Sequence, residues 1–311
     1  MNILGTIWNC ISYPFALFFA YLYLFVGNYG IAIILFTLVL KFVMIPLAIK
    51  QQKSMLLQVK YQPRMQEIQA KYKTDKVKLS EEMSKLYKEE GYSPAGGCLP
   101  MLIQLPIMLI LYNLILNPLS NINSFRSSDI INLINRFNPL INGAKVAASN
   151  QIGLATWINE NFETVKDFLP KGYEKINFWF LGVNLADKPD LAKFGVLWII
   201  PIIAGITALI AALISQRYMV QNPQTQGTTK VMLLMSPAMS LIFTFTLPAG
   251  VGLYWIISNI LTGIQSYVIG EKYNPRKYAE ELKIQGEEEK NRLKQAKKDK
   301  YLNKHKDENN N

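Results

Sequence analysis

The chain has 311 residues, half of them apolar and 18% charged, with a formal net charge of +11 and a mean hydropathy of +0.12. This balance points to a membrane protein. A lone histidine, His305, excludes a metal centre in practice, and no nucleophile–base pair, phosphate-binding loop or paired carboxylates are visible, so neither catalysis nor a cofactor is expected.

Residues 1–29 carry no charge. Within them, 11–26 is apolar and aromatic but short, and it contains Pro14. It reads as an outer interfacial helix with Phe and Tyr rings at headgroup level, rather than as a sixth span. A basic leader and a small-x-small cleavage site are missing, so a signal peptide is not expected. Trp8 and Asn9 stand where lipid attachment at Cys10 would need small residues.

The next run, 30–49, is long enough to cross a bilayer's hydrocarbon core as a helix. Lys41 interrupts it, roughly 16 Å from one end and 12 Å from the other at about 1.5 Å per residue. A cation at that depth costs roughly 2.5–3.5 kcal/mol on insertion scales. None of the apolar runs contains an Asp or Glu to pair with it. Lys41 is therefore either a snorkelling stabiliser or a working part of a polar, water-containing cavity, and its depth favours the second.

Residues 50–92 read as a cytoplasmic helical hairpin. Met65, Ile68 and Tyr72 form one apolar stripe, and Leu79, Met83 and Leu86 the other. Lys73-Thr74-Asp75 separates the arms, and Pro63 limits the straightness of the first. The charged outer faces are either simply solvated or a docking arm for a partner. A second span follows in 93–117, then an extracytoplasmic loop in 118–193. In that loop, NRFNPLING over 135–143 reads as a turn and INFWFLGVNLADKP over 176–189 as an aromatic segment at the outer interface. Residues 194–270 hold three more spans, 194–214, 231–247 and 250–269. Only Pro248 and Ala249 part the last two, so these must form a tight antiparallel pair.

The basic tail, 271–311, is expected to be helical near 276–300 and frayed beyond. Its Lys294–Lys300 cluster suits anionic lipid or ribosomal RNA. Ten Lys/Arg against six acids in 50–91, and twelve against nine in 271–311, place these segments in the cytoplasm. The N-terminus is then outside, the C-terminus inside, and Cys10 and Cys98 lie on opposite faces, unable to pair. The fold class is an all-α integral membrane protein of five transmembrane helices.

The run SPAGGCLPMLIQLPI over 93–107, followed by Leu111-Tyr112, resembles the second span of the membrane protein insertase family of bacteria, mitochondria and chloroplasts, the YidC, Oxa and Alb types. LPAGVGLYWIISN over 247–259 resembles the family's last span. The cation before Pro46, and Lys71-Tyr72-Lys73 before a short second arm, are similar too. These matches run from about residue 8 to 270 and fit the shorter Gram-positive form. Two departures stand out: family members more often carry Arg where Lys41 stands, and many Gram-positive ones begin with a lipoprotein signal.

The resemblance implies a hydrophilic groove in the inner leaflet, open to cytoplasm and lipid. Thr37 and Lys41, at i and i+4, share a helix face. Pro46 and Pro106 each free a carbonyl that a cavity or neighbouring helix must satisfy. Gln104, Thr244 and Ser258 are candidates to complete the polar lining; the alternative for each is an ordinary interhelical hydrogen bond of about 0.6 kcal/mol. Tyr254 and Trp255 either line a substrate exit or pack. The implied partners are nascent membrane proteins, the ribosome, the Sec translocon and anionic lipids, at the bacterial cell membrane. A scaffold without insertase activity is the alternative. A transporter is disfavoured by the absence of an inverted repeat and of an acidic coupling residue.

Overall fold

The computed structural model describes residues 3–91, 99–137, 151–219 and 226–309. Cys98 and most of the expected 135–143 turn lie outside these residues. Helix α1 (Ile3–Val26) and helix α2 (Tyr29–Lys71) are joined by Gly27, at φ 65°, and Asn28. Glycine supplies the left-handed turn, and the Asn28 side chain accepts the Ile31 N–H at 3.1 Å to cap α2. Aromatic contacts descend the pair in antiparallel order. Tyr23 meets Tyr29, Phe19 stands edge-on to Tyr29 and Phe36, and Phe18 reaches Phe36. The segment expected to lie along an interface is thus docked on the first turns of α2, with Tyr13, Tyr21 and Phe25 exposed on its far side.

Helix α2 is 43 residues long, about 65 Å at 1.5 Å per residue. The sequence changes from apolar to charged at residue 50, but the backbone does not break there. Pro46 and Pro63 lie within the helix, which runs on past both. The segments Tyr29–Lys71 and Val196–Arg217 are long and apolar enough to cross a membrane. After Tyr72 the chain turns, Asp75 accepts the Lys78 N–H at 3.0 Å, and α3 (Lys76–Glu89) folds back. Arg64 forks onto Glu89 at 3.2 Å and Glu90 at 2.9 Å, while Leu86 is buried in the hairpin. The hairpin's first arm is therefore the far end of α2.

Helix α4 (Leu99–Leu116) leads into a folded cap. Short helices α5 (Pro118–Asn121), α6 (Ser127–Arg136), α7 (Gln151–Glu160) and α8 (Phe162–Val165) bury Leu119, Leu133, Leu154, Trp157 and Val165. Strands β1 (Trp179–Phe180) and β2 (Val183–Asn184) pair antiparallel across Leu181 and Gly182, both at positive φ. The cap's carbonyls serve two distant helices. Tyr29 N–H donates to Asn177 O at 3.0 Å; Ala249 and Gly250 N–H donate to Asp187 O at 2.8 Å and Leu185 O at 2.9 Å. These are N–H groups that a helix's first turn leaves without intrahelical partners.

Helices α9 (Ile199–Arg217), α10 (Gln226–Thr246) and α11 (Ala249–Lys272) complete the bundle. Leu247 and Pro248 join α10 to α11, yet α11 packs chiefly on α9 and α2. Small residues permit that approach. Ala204, Ala208 and Ala211 are buried on α9, and a Cβ at Gly263 would stand 3.6 Å from the Ala211 Cα. Asn259 Nδ2 adds a donation to Ala204 O at 3.2 Å. The tail forms one helix, α12 (Pro275–Asn309), extending beyond the expected end near 300. Its Glu- and Lys-rich sequence favours helix.

Candidate functional site

Lys41 sits about three turns into α2. Its Nζ donates to Thr262 Oγ1 on α11 at 2.8 Å, and Thr262 Oγ1 in turn donates to Ser258 O at 2.7 Å. Among the described residues Lys41 forms no ion pair. The ammonium lines a cavity of about 410 Å³ walled by α2, α9 and α11. Its polar walls come from Gln51 and Gln52 on α2, Ser215 on α9, and Thr262, Gln265 and Ser266 on α11. Lys41, Ala48, Gln52 and Met55 recur at intervals of seven, four and three, which keeps them on one face of α2.

Hydrogen bonds link the helices at the end of the cavity remote from Lys41. Gln52 Nε2 donates to Tyr218 O at 3.3 Å and to Tyr273 O at 3.0 Å, linking α2 to the ends of α9 and α11. Tyr218 OH donates to Glu271 Oε1 at 2.8 Å, and Lys277 Nζ donates to Glu271 Oε2 at 3.1 Å. A hydroxyl pair, Ser215 and Ser266, closes at 2.8 Å beside them. A second, apolar crevice of about 200 Å³ lies on the other side of the α2–α11 seam, where Phe42, Ile264 and Val268 are exposed. Lys41 and Gln265 line both spaces.

The other residues singled out in the sequence sit differently. Thr37 is buried one turn from Lys41 and donates to Ile33 O at 2.7 Å. Thr244 is buried and donates to Ser240 O at 2.6 Å. Ser258 is buried and reaches Lys41 only through its carbonyl and Thr262. None of these three, nor Pro46, lines either space. Pro106 is exposed on α4, and the Gln104 side chain lies outside the described residues. Tyr254 is buried; Trp255 stacks on Phe243 with ring centres 5.3 Å apart. Conversely, Thr262, Gln265 and Gln52 are cavity groups that sequence reading passes over. The signal for the first two was a polar stripe at i, i+4 and i+7 from Ser258.

Helices with broad exposed apolar faces, gathered around one polar cavity and its lysine, define a helical integral membrane protein. The chain belongs to the family described as 60Kd inner membrane protein, which matches residues 21–277. It is 29% identical over 272 residues to a membrane protein insertase YidC of Pelodictyon phaeoclathratiforme, covering 85% of this chain and 38% of that protein. It is 30% identical over 257 residues to the protein of the same name from Syntrophobacter fumaroxidans, covering 83% and 37%. The chain thus spans little more than a third of the length of these curated relatives. A crystal structure of an active YidC insertase with its first transmembrane domain resolved aligns at 25% identity and a TM-score of 0.46, over 84% of this chain and 46% of that one.

Proposed function

We propose that the chain is a membrane protein insertase and folding aid that works without nucleotide hydrolysis. The observation that carries this reading is the polar cavity around Lys41, set among apolar helices in a member of this family. The five transmembrane segments are parts of α2, α4, α9, α10 and α11, with the cap outside and the hairpin and α12 in the bacterial cytoplasm. The cavity is the inner end of a hydrophilic groove; buried Thr37 and Ser258 stand close to Lys41, and Gln104 and Thr244 are assigned to the same groove from the family resemblance.

A client's hydrophilic tail enters this space, where hydroxyl, amide and ammonium groups replace part of its water. That lowers the cost of carrying polar groups into the membrane. The client's apolar segment then moves into lipid, releasing about 25 cal/mol per Å² of apolar surface removed from water. For a spanning helix this exceeds the cost of moving a short polar tail. Lys41 attracts acidic residues in that tail as a point charge, without the planar fork of an arginine. Ribosomes or anionic lipids are held by the basic α12, and the Sec translocon is a further partner in the same reading.

The test is photocrosslinking from position 265, on the cavity wall, to ribosome-bound nascent chains of a small single-span protein. Position 43 on the exposed face of α2 is the control, since Val43 is 71% exposed. Adducts from 265 that require the client's apolar segment are expected. Their absence, with the protein folded and ribosomes bound, favours a scaffold or assembly factor that does not insert.

A further inference from the structure

Lys41 stands at a seam with a polar cavity on one side and an apolar crevice on the other, whereas Thr262 lines only the cavity. The flexible lysine stem can place its ammonium toward either space. The 2.8 Å bond to Thr262 Oγ1 fixes the choice. The hydroxyl's only proton is committed to Ser258 O at 2.7 Å, so its lone pairs face the ammonium. Thr262 is therefore set as an acceptor, and a methyl group in place of the hydroxyl would leave the ammonium without this partner.

We propose that Thr262 is the positioning residue for the Lys41 charge, holding it on the cavity side of the α2–α11 seam. In this way it sets the preference for clients with acidic translocated tails. The proposal rests on the insertase reading and adds to it the group that determines specificity. Thr262 also lines the cavity, but its effect on the charge preference runs through the ammonium.

The experiment uses the full chain in liposomes and two versions of one single-span client, whose translocated tail carries either Asp/Glu or Asn/Gln. Thr262→Val, close to isosteric, lowers insertion of the acidic client by roughly tenfold, the scale of losing one hydrogen bond to a charged group. The neutral client loses markedly less, so the acidic-to-neutral insertion ratio falls, and Thr262→Ser restores that ratio. In a Lys41→Ala background, Thr262→Val does not lower the acidic-to-neutral ratio further, because the two residues set the charge preference as one unit. Equal loss for both clients overturns the proposal, as does a further fall in the acidic-to-neutral ratio in the Lys41→Ala background. A wild-type chain that inserts both clients equally well also overturns it while leaving the insertase reading intact. A wild-type chain that inserts neither client removes the insertase reading itself.

Discussion

A Cβ at position 270 would collide with the Tyr218 ring, because the end of α9 lies directly on α11 there. Gly270→Ala is expected to cost about 1–3 kcal/mol through this overpacking, read as a lowered melting temperature in detergent. Gly286→Ala on α12, where no atom lies within 4 Å, is the control and should stabilise by up to about 1 kcal/mol. Beside Gly270, donations from Tyr218 and then Lys277 hold the Glu271 carboxyl below its ordinary value of 4.5. A depressed carboxylate stabilises above that ordinary value, and its contribution is lost as pH falls through the lowered one. Protection factors in residues 273–280, corrected for intrinsic exchange, should therefore be flat from about pH 5 to 8, then fall on further acidification, and the step should vanish in Glu271→Gln. Lys41 was legible in the sequence because a charge inside an apolar run has few explanations. Thr262 and Gln265 were not, since a polar residue at helical spacing looks the same whether it meets a neighbouring helix or a cavity. Only the arrival of α2 against α11 distinguishes the two.

Helix α2 joins the cavity to the hairpin without a break, so the hairpin is a lever on the same rod as Lys41. The hairpin is held by packing more than by charge. Arg64 and Glu89 are more than half exposed, and such pairs contribute about 0–1 kcal/mol. Leu86, 2% exposed, should cost roughly 2–5 kcal/mol locally when cut to Ala. Hydrogen exchange across α3 is expected to accelerate strongly in Leu86→Ala and little in Arg64→Ala; the reverse order would mean that the ion pair holds the arm. Elements with long periodic patterns were legible, and the hairpin turn at 73–75 agreed with its signals. The continuity of α2 was not, because the change in composition at residue 50 marks a change of solvent rather than an end of hydrogen bonding. The cap was illegible for a different reason. Its helices are one to three turns long, and its order comes from side chain–backbone pairs such as Asn159 with Ile176, whose partners are 17 residues apart.

At the scale of the whole molecule, the two ends of the bundle are finished differently. One end carries a cap with its own buried core, and the other a hairpin, a basic helix and a knot of hydrogen bonds around Gln52. The proposed orientation predicts that, in intact cells, a cysteine at exposed Leu181 reacts with a membrane-impermeant maleimide. A cysteine at exposed Ile284 should react only after permeabilisation. Both are placed in a Cys10→Ser, Cys98→Ser background, and the opposite pattern would invert the topology. The cap also sets a schedule. Tyr23 OH accepts the N–H of Asn177, 154 residues further along, and the first turn of α2 takes its carbonyl from the same residue. At roughly 5–20 residues per second, α2 exists for roughly five to twenty seconds of synthesis before these partners have been made. During that interval α1 and α2 stand as a pair whose final hydrogen-bond partners have yet to be synthesised.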